Sequence, residues 1–270
     1  MHKALGIISI KGGVGKTTIA SSLAADLAAN YRKKVLLVDA NYNAPNLGLH
    51  MDIVEPDKTI HHVLDNKTNI EKAIHNRFGV DVIPGSYVYP RKIDFLKLSD
   101  KINKIKDNYH FVIIDSSPSL NEELLSTMLA SDALFIVTTP DYPTLSCSLR
   151  AANLAKQRGK PIAGIIINKV RDPKYELTLQ QIENSIEIPV VARIPDDKTA
   201  TRAIYTRIPT PIYNKNSPFS KEINRLNAAL TGNAEKLSLV RRIFPISPKK
   251  EEVNRQLLKE DFYTSLFSNE

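Results

Sequence analysis

Lys11-Gly12-Gly13-Val14-Gly15-Lys16-Thr17-Thr18 stands between an apolar run, Ala4 to Ile10, and a helical pattern beginning near Thr17. Strand, glycine-rich turn and helix in that order are the setting of a phosphate-binding loop. Glycines let the backbone bend around a phosphate without Cβ clashes. The N–H groups of the loop and of the helix N-terminus supply partial positive charge. Gly12, Gly13, Val14, Gly15 and Thr18 therefore form the expected cradle. Lys16 is placed to reach the β- and γ-phosphates and the Thr17 hydroxyl to ligate Mg²⁺. A plain glycine turn with solvated lysines would not account for three glycines, a lysine and two threonines at one strand-to-helix junction.

Working outward, apolar β-branched runs recur with helical stretches between them: Ala4–Ile10, Val35–Asp39, Val80–Ile83, Phe111–Asp115, Leu134–Thr138, Ile162–Asn168 and Val190–Ile194. Their near-continuous apolarity predicts strands covered on both faces. Ile19, Leu23, Leu27 and Tyr31 recur in steps of four, which predicts a first helix with one apolar stripe turned to a sheet. The expected fold is α/β: a doubly wound, mostly parallel sheet with helices on both faces and ligand at the carboxyl ends of the strands.

Two of these strands end in an acid. Val35-Leu36-Leu37-Val38-Asp39 and His110-Phe111-Val112-Ile113-Ile114-Asp115 each place a carboxylate where it can hold Mg²⁺ through water. Asp115 after its apolar strand has the form of a Walker B motif.

The loop is not of the ordinary kind. That pattern has glycine five residues before Gly15, where this chain has Ile10, and a second lysine, Lys11, follows. The variant resembles the deviant Walker A loop of the MinD/ParA family of ATPases, a class of the P-loop NTPases. The resemblance implies that Lys11 reaches across an ATP-sandwiched dimer to the partner's nucleotide. Asp39-Ala40-Asn41, followed by Asn46-Leu47, resembles the family's first switch segment, usually Asp-x-Asp. There the first acid lies near Mg²⁺ and the second orients the attacking water. Asn41 stands at the second position. A carboxamide can position water but cannot take its proton, so slow hydrolysis is expected. Lys11, Lys16 and Asn41 are thus the implied catalytic set, with Thr17, Asp39 and Asp115 at the metal. Ser119 stands where the second switch usually has glycine. Asn168, at the end of Ile165-Ile166-Ile167-Asn168, matches the family asparagine that bonds adenine, although taken alone it reads as a strand-end cap. Pro195 and Asp196, within Arg193-Ile194-Pro195-Asp196-Asp197, match the segment bordering the base. The resemblance runs over residues 1–232, and Asn46-Leu47-Gly48-Leu49 and Phe78–Gly85 resemble archaeal MinD-like proteins.

The chain has 270 residues, a net charge of +8, a pI of about 9.4 and a single cysteine, Cys147. Clustered thiolates for an iron–sulfur site are missing. No apolar run reaches the ~20 residues of a membrane-spanning helix, and no secretory leader is read, so a cytoplasmic location is expected. The basic balance favours anionic partners. Residues 1–232 are read as an ATPase domain and 233–270 as an appended tail. Within the tail, Leu237, Val240 and Phe244 at helical spacing, interleaved with Lys236, Arg241 and Arg242, read as a short basic amphipathic helix over 236–250. The expected function is an ATP- and Mg²⁺-dependent dimerising switch that positions division machinery or a chromosome and slowly hydrolyses ATP to ADP. It would work on an anionic membrane surface or non-specific DNA, at the inner membrane face or the nucleoid, with an activating protein partner. The alternative is a nucleotide-gated binding module with little hydrolysis, because of Asn41 and Ser119.

Overall fold

In a computed structural model, residues 3–172, 174–233 and 248–267 are described, with side chains to residue 261. One eight-stranded sheet organises them: β1 (Lys3–Ile8), β2 (Val35–Ala40), β3 (His75–Arg77), β4 (Val80–Ile83), β5 (Phe111–Ser116), β6 (Ala133–Thr138), β7 (Ile162–Val170) and β8 (Val190–Pro195). Their order is β3-β4-β2-β5-β1-β6-β7-β8. All neighbours are parallel except β3, which pairs antiparallel with β4. The order runs outward in both directions from β1, so the crevice at its carboxyl end is the topological switch point where such sheets bind ligands.

Alternate residues of each strand feed two separate cores. Phe111 and Ile113 of β5 pack with α1 (Lys16–Tyr31), α2 (Leu47–His50) and α10 (Pro218–Leu230). Val112 and Ile114 pack beneath α3 (Ile60–Leu64) and α4 (Leu98–Asn103). Further along that second face lie α5 (Glu122–Ala130), α6 (Tyr142–Gln157) and α7 (Leu179–Ile186). Two short helices, α8 (Lys198–Tyr205) and α9 (Thr210–Tyr213), lead into α10. The doubly wound expectation is met, with one strand more than the apolar runs gave.

The first helix departs from its expected single stripe. Ser21, Ser22 and Asp26 are buried along with Ile19, Leu23 and Leu27, because α10 covers the side turned away from the sheet. Asp26 takes hydrogen bonds from the amides of Asn30 (2.6 Å), Asn227 (2.8 Å) and Asn224 (3.3 Å). Burial raises its pKa, and these three donors oppose the rise.

The last described helix, α11 (Lys250–Phe267), lies against β8 and α10. The β7–β8 register slips beside Val191, the mark of a β-bulge. Arg255, 2% exposed, donates to the Val191 carbonyl and to Glu222, each at 2.9 Å. Asn254 donates to the Val190 carbonyl at 2.8 Å and to Glu183 at 2.6 Å. The Lys250 ammonium pairs with Glu183 as well. One end of the expected basic segment is therefore engaged on the sheet domain. Leu237, Val240, Phe244 and the basic residues among them lie outside the described residues. Among the described residues, no helix is long and apolar enough to cross a membrane.

Candidate functional site

The carboxyl ends of β1, β2, β5, β7 and β8 open on a cavity of about 530 Å³, within the usual range for small-molecule sites. Gly13, Gly15, Lys16, Thr17 and Thr18 line one side of it. Gly15 adopts φ +97°, the left-handed region, and turns the chain into α1. A Cβ there would lie 2.3 Å from Asn168 Nδ2. Strand β7 fixes the loop from behind. Asn168 donates to the Val14 carbonyl and Lys169 to the Gly13 carbonyl, each at 2.7 Å. With these carbonyls tied outward, the loop's N–H groups are the ones left to meet an anion.

Lys16 is buried inside the cavity wall, and burial lowers its pKa against the opposing pull of Asp115. Lys11 has a different place. It is exposed, lies outside the cavity lining, and has Asp141 as a charged neighbour. Gly12 and Val14 also stay out of the lining: Gly12 is exposed and Val14 packs into the core.

Asp39 and Asp115 face one another in register on β2 and β5. The Thr17 hydroxyl donates to Asp115 Oδ2 at 2.7 Å, with Asn46 Oδ1 3.1 Å away. Asp115 Oδ1 is buried with no hydrogen-bond partner. Burial pushes the pKa of Asp115 up to about 6, against the Thr17 hydroxyl and Lys16. Burial, then the charge of Asp115, pushes Asp39 up to about 8, against three backbone N–H groups. Two facing acids, an orphaned carboxylate oxygen and a threonine hydroxyl fit a hard divalent cation with oxygen ligands such as Mg²⁺. Asp39 has a second task. It accepts from Asn41 N–H (3.0 Å) and Leu47 N–H (3.1 Å) and so shapes the turn between them. The Asn41 side chain donates to the Ala44 carbonyl at 2.6 Å while lining the cavity.

A pH dependence follows. Both acids have folded-state values above the unfolded value of 3.8. The folded protein therefore holds extra protons, and stability falls as pH rises from about 4 to about 8. Without metal, the thermal midpoint is expected to drop between pH 6 and pH 8, and Asp39→Asn to flatten that drop. Mg²⁺ with nucleotide needs the ionised acids, so its calorimetric affinity is expected to rise over the same interval. A flat profile for both quantities would contradict the assignment.

Asn168, Pro195 and Asp196, the residues the sequence assigns to the base, all line the cavity. Asn168 is first of all a tether for the loop. Other contributors escaped the sequence reading. Arg171 pairs with Asp196 at 2.6 Å, and Ile204 and Phe219 add apolar wall. His50, one helical turn after Asn46, also lines the cavity, and burial pushes its pKa down to about 4. The only earlier signal for His50 was its i+4 spacing from Asn46.

Comparisons with known proteins agree with this fold. The family model described as AAA domain matches residues 2–148. An uncharacterized ATP-binding protein of Methanocaldococcus jannaschii is 32% identical over 229 residues, covering 84% of this chain and 87% of its own. The crystal structure of the cell division ATPase MinD of Pyrococcus furiosus superposes with a TM-score of 0.80 at 30% identity, covering 84% of this chain and 97% of that one. The septum site-determining protein MinD of Pyrococcus horikoshii, solved in complex with Mg-ADP, gives a TM-score of 0.80 at 28% identity, over 84% of this chain and 95% of that one.

Proposed function

This chain belongs to the AAA domain family of MinD/ParA-like ATPases, and from that premise we propose that it is an ATP-driven dimerising switch. The cofactors are ATP or ADP and Mg²⁺. Lys16, Thr18 and the loop N–H groups hold the phosphates. Thr17, Asp115 and Asp39 take the cation, which supplies charge neutralisation at the phosphates. Asn168, Pro195 and Asp196 receive the base. Asn41 orients water. Two copies clasp the nucleotide between them, and hydrolysis releases them. Residues 1–232 make the ATPase unit and 233–270 an appendage to it. The dimer holds a division or chromosome assembly at an anionic surface, membrane or DNA, with an activating protein partner, inside the cytoplasm.

The supporting observation is the separation of the two loop lysines. Lys16 is turned into its own cavity, while Lys11 stands exposed at the outer rim. A charged rim lysine that does not serve its own site is available to a facing one. Lys11→Ala is therefore expected to leave ATP affinity within about twofold, because Lys16 and the loop nest are untouched. ATP-dependent dimerisation, followed by light scattering, should be lost. Retained dimerisation would reject the clasped arrangement.

Asn41 favours a second reading, a gated binding module with little turnover. Its amide is spent on the Ala44 carbonyl, and no carboxylate stands in its place. Steady-state phosphate release separates the two readings. Turnover above background, abolished with Lys16→Ala, supports the switch. Its absence with ATP binding intact supports the module.

A further inference from the structure

Glu123 sits in the first turn of α5 with 2% of its surface exposed. Among the described residues it has no cationic partner. Its charge is met by the positive end of the helix and by two donors. Asn43 N–H donates to Oε1 at 2.9 Å and the Asn121 amide to Oε2 at 3.4 Å. Each donor belongs to a different segment of the site. Asn43 lies in the turn that follows Asp39. Asn121 caps α5 and accepts the Ser117 hydroxyl at 3.4 Å, and Ser117 follows Asp115 closely. Glu123 thus occupies the point where the segments leaving the two cavity acids meet.

The turn is gripped by its neighbours too. The Tyr42 hydroxyl hydrogen-bonds Ser126 of α5 at 3.0 Å. On the other side, His61 Nδ1 accepts from Ser86 N–H at 3.0 Å. Since that N–H can only donate, the imidazole carries its proton on Nε2 and donates to the Tyr42 carbonyl at 3.0 Å. Held in this way, the turn presents the Ala44 carbonyl to the Asn41 amide. One N–H of the Asn41 amide is engaged in this way, which fixes the carboxamide, and its carbonyl oxygen takes no hydrogen bond among the described residues.

We propose that Glu123 is a positioning residue for ATP hydrolysis, acting through Asn43 and the turn to hold Asn41 with its acceptor toward the cavity. This rests on the hydrolysis reading above. A carboxylate that served only the start of α5 would be replaceable by aspartate, which keeps the charge there but retracts from Asn43. A residue that serves the turn would be replaceable by glutamine, which keeps an acceptor at the same reach.

The test uses the full chain with Glu123→Ala, Glu123→Asp and Glu123→Gln, each alone and with Asn41→Ala. Phosphate release, Mg-ATP affinity and amide exchange over residues 40–47 are read for each. The expected result is a loss of about tenfold in kcat for Glu123→Ala and Glu123→Asp, with Mg-ATP affinity unchanged. Glu123→Gln should stay within about threefold of the parent. In the Asn41→Ala background, the Glu123 changes should cost nothing further. Exchange over 40–47 should quicken in the alanine and aspartate variants alone. Equal losses in both backgrounds, an aspartate variant as active as the parent, or a glutamine variant as impaired as alanine would each overturn the proposal. Should alanine fail to fold, the aspartate–glutamine pair decides. If the parent itself releases no phosphate, the hydrolysis reading fails separately, and the exchange arm decides whether Glu123 holds the turn.

Discussion

Gly15→Ala is expected to weaken Mg-ATP binding by roughly 30- to 100-fold, read by calorimetry on folded protein. Two independent effects converge on this position. The first is backbone. Gly15 holds φ +97°, and a left-handed conformation costs an ordinary L-residue on the order of 1–2 kcal/mol. The second is contact, since an added Cβ would approach Asn168 Nδ2 to 2.3 Å. Asn168 cannot yield without releasing the Val14 carbonyl that it ties at 2.7 Å. The empty loop can relax, so folding should survive; the strain returns when the loop must close on phosphate. With tenfold in affinity corresponding to about 1.4 kcal/mol, the combined penalty gives the quoted range. The double variant Gly15→Ala with Asn168→Ala removes the collision but not the dihedral strain, and should recover only part of the loss. Full recovery would show that the left-handed turn does not matter, and no loss in the single variant would contradict this description of the loop.

Arg255→Met is expected to destabilise the protein by about 3 kcal/mol, the lower end of the cost of removing one partner of a buried ion pair, because Glu222 keeps a second, more exposed partner. For a chain of this size that is a fall of roughly 10 °C in the thermal midpoint. Glu222, 8% exposed, would keep Arg225 at 2.9 Å but lose its buried partner, and the Val191 carbonyl would lose a donor. Adding Glu222→Gln should restore part of the stability, because the carboxylate stripped of its buried partner is removed. A midpoint within 2–3 °C of the parent, which would correspond to about 1 kcal/mol, would mean that α11 is not docked as described. Nucleotide affinity should change little, since Arg255 lies outside the cavity.

Much of this architecture was legible in the chain. Long apolar runs gave β1, β2 and β4 to β8, because a strand buried on both faces has nowhere to put a polar side chain. The loop lysines and the acids ending β2 and β5 were legible because phosphate and metal chemistry restrict residue types and spacing. What stayed hidden depends on partners distant in sequence. β3 is His75-Asn76-Arg77, polar throughout, and is held by backbone pairing to β4 and by Asn76 donating to Asp81. The polar back of α1 reads as solvated until α10 arrives some 190 residues later to meet Tyr31 and Asp26. Asn168 was legible as a site residue, but its bond to the phosphate loop was not, since nothing local in β7 announces it. Lys169, Arg171, His50 and Glu123 are ordinary charged or polar residues in sequence. Their roles come from where the fold sets them down.

An outermost strand ordinarily offers bare amide and carbonyl groups that a foreign strand can zip onto. Here a guanidinium and a carboxamide from α11 already occupy the carbonyls of Val191 and Val190. This flank of the sheet is therefore stoppered. Even at high local density, the chain is shielded from strand-to-strand stacking along that border, and so from runaway fibre growth there.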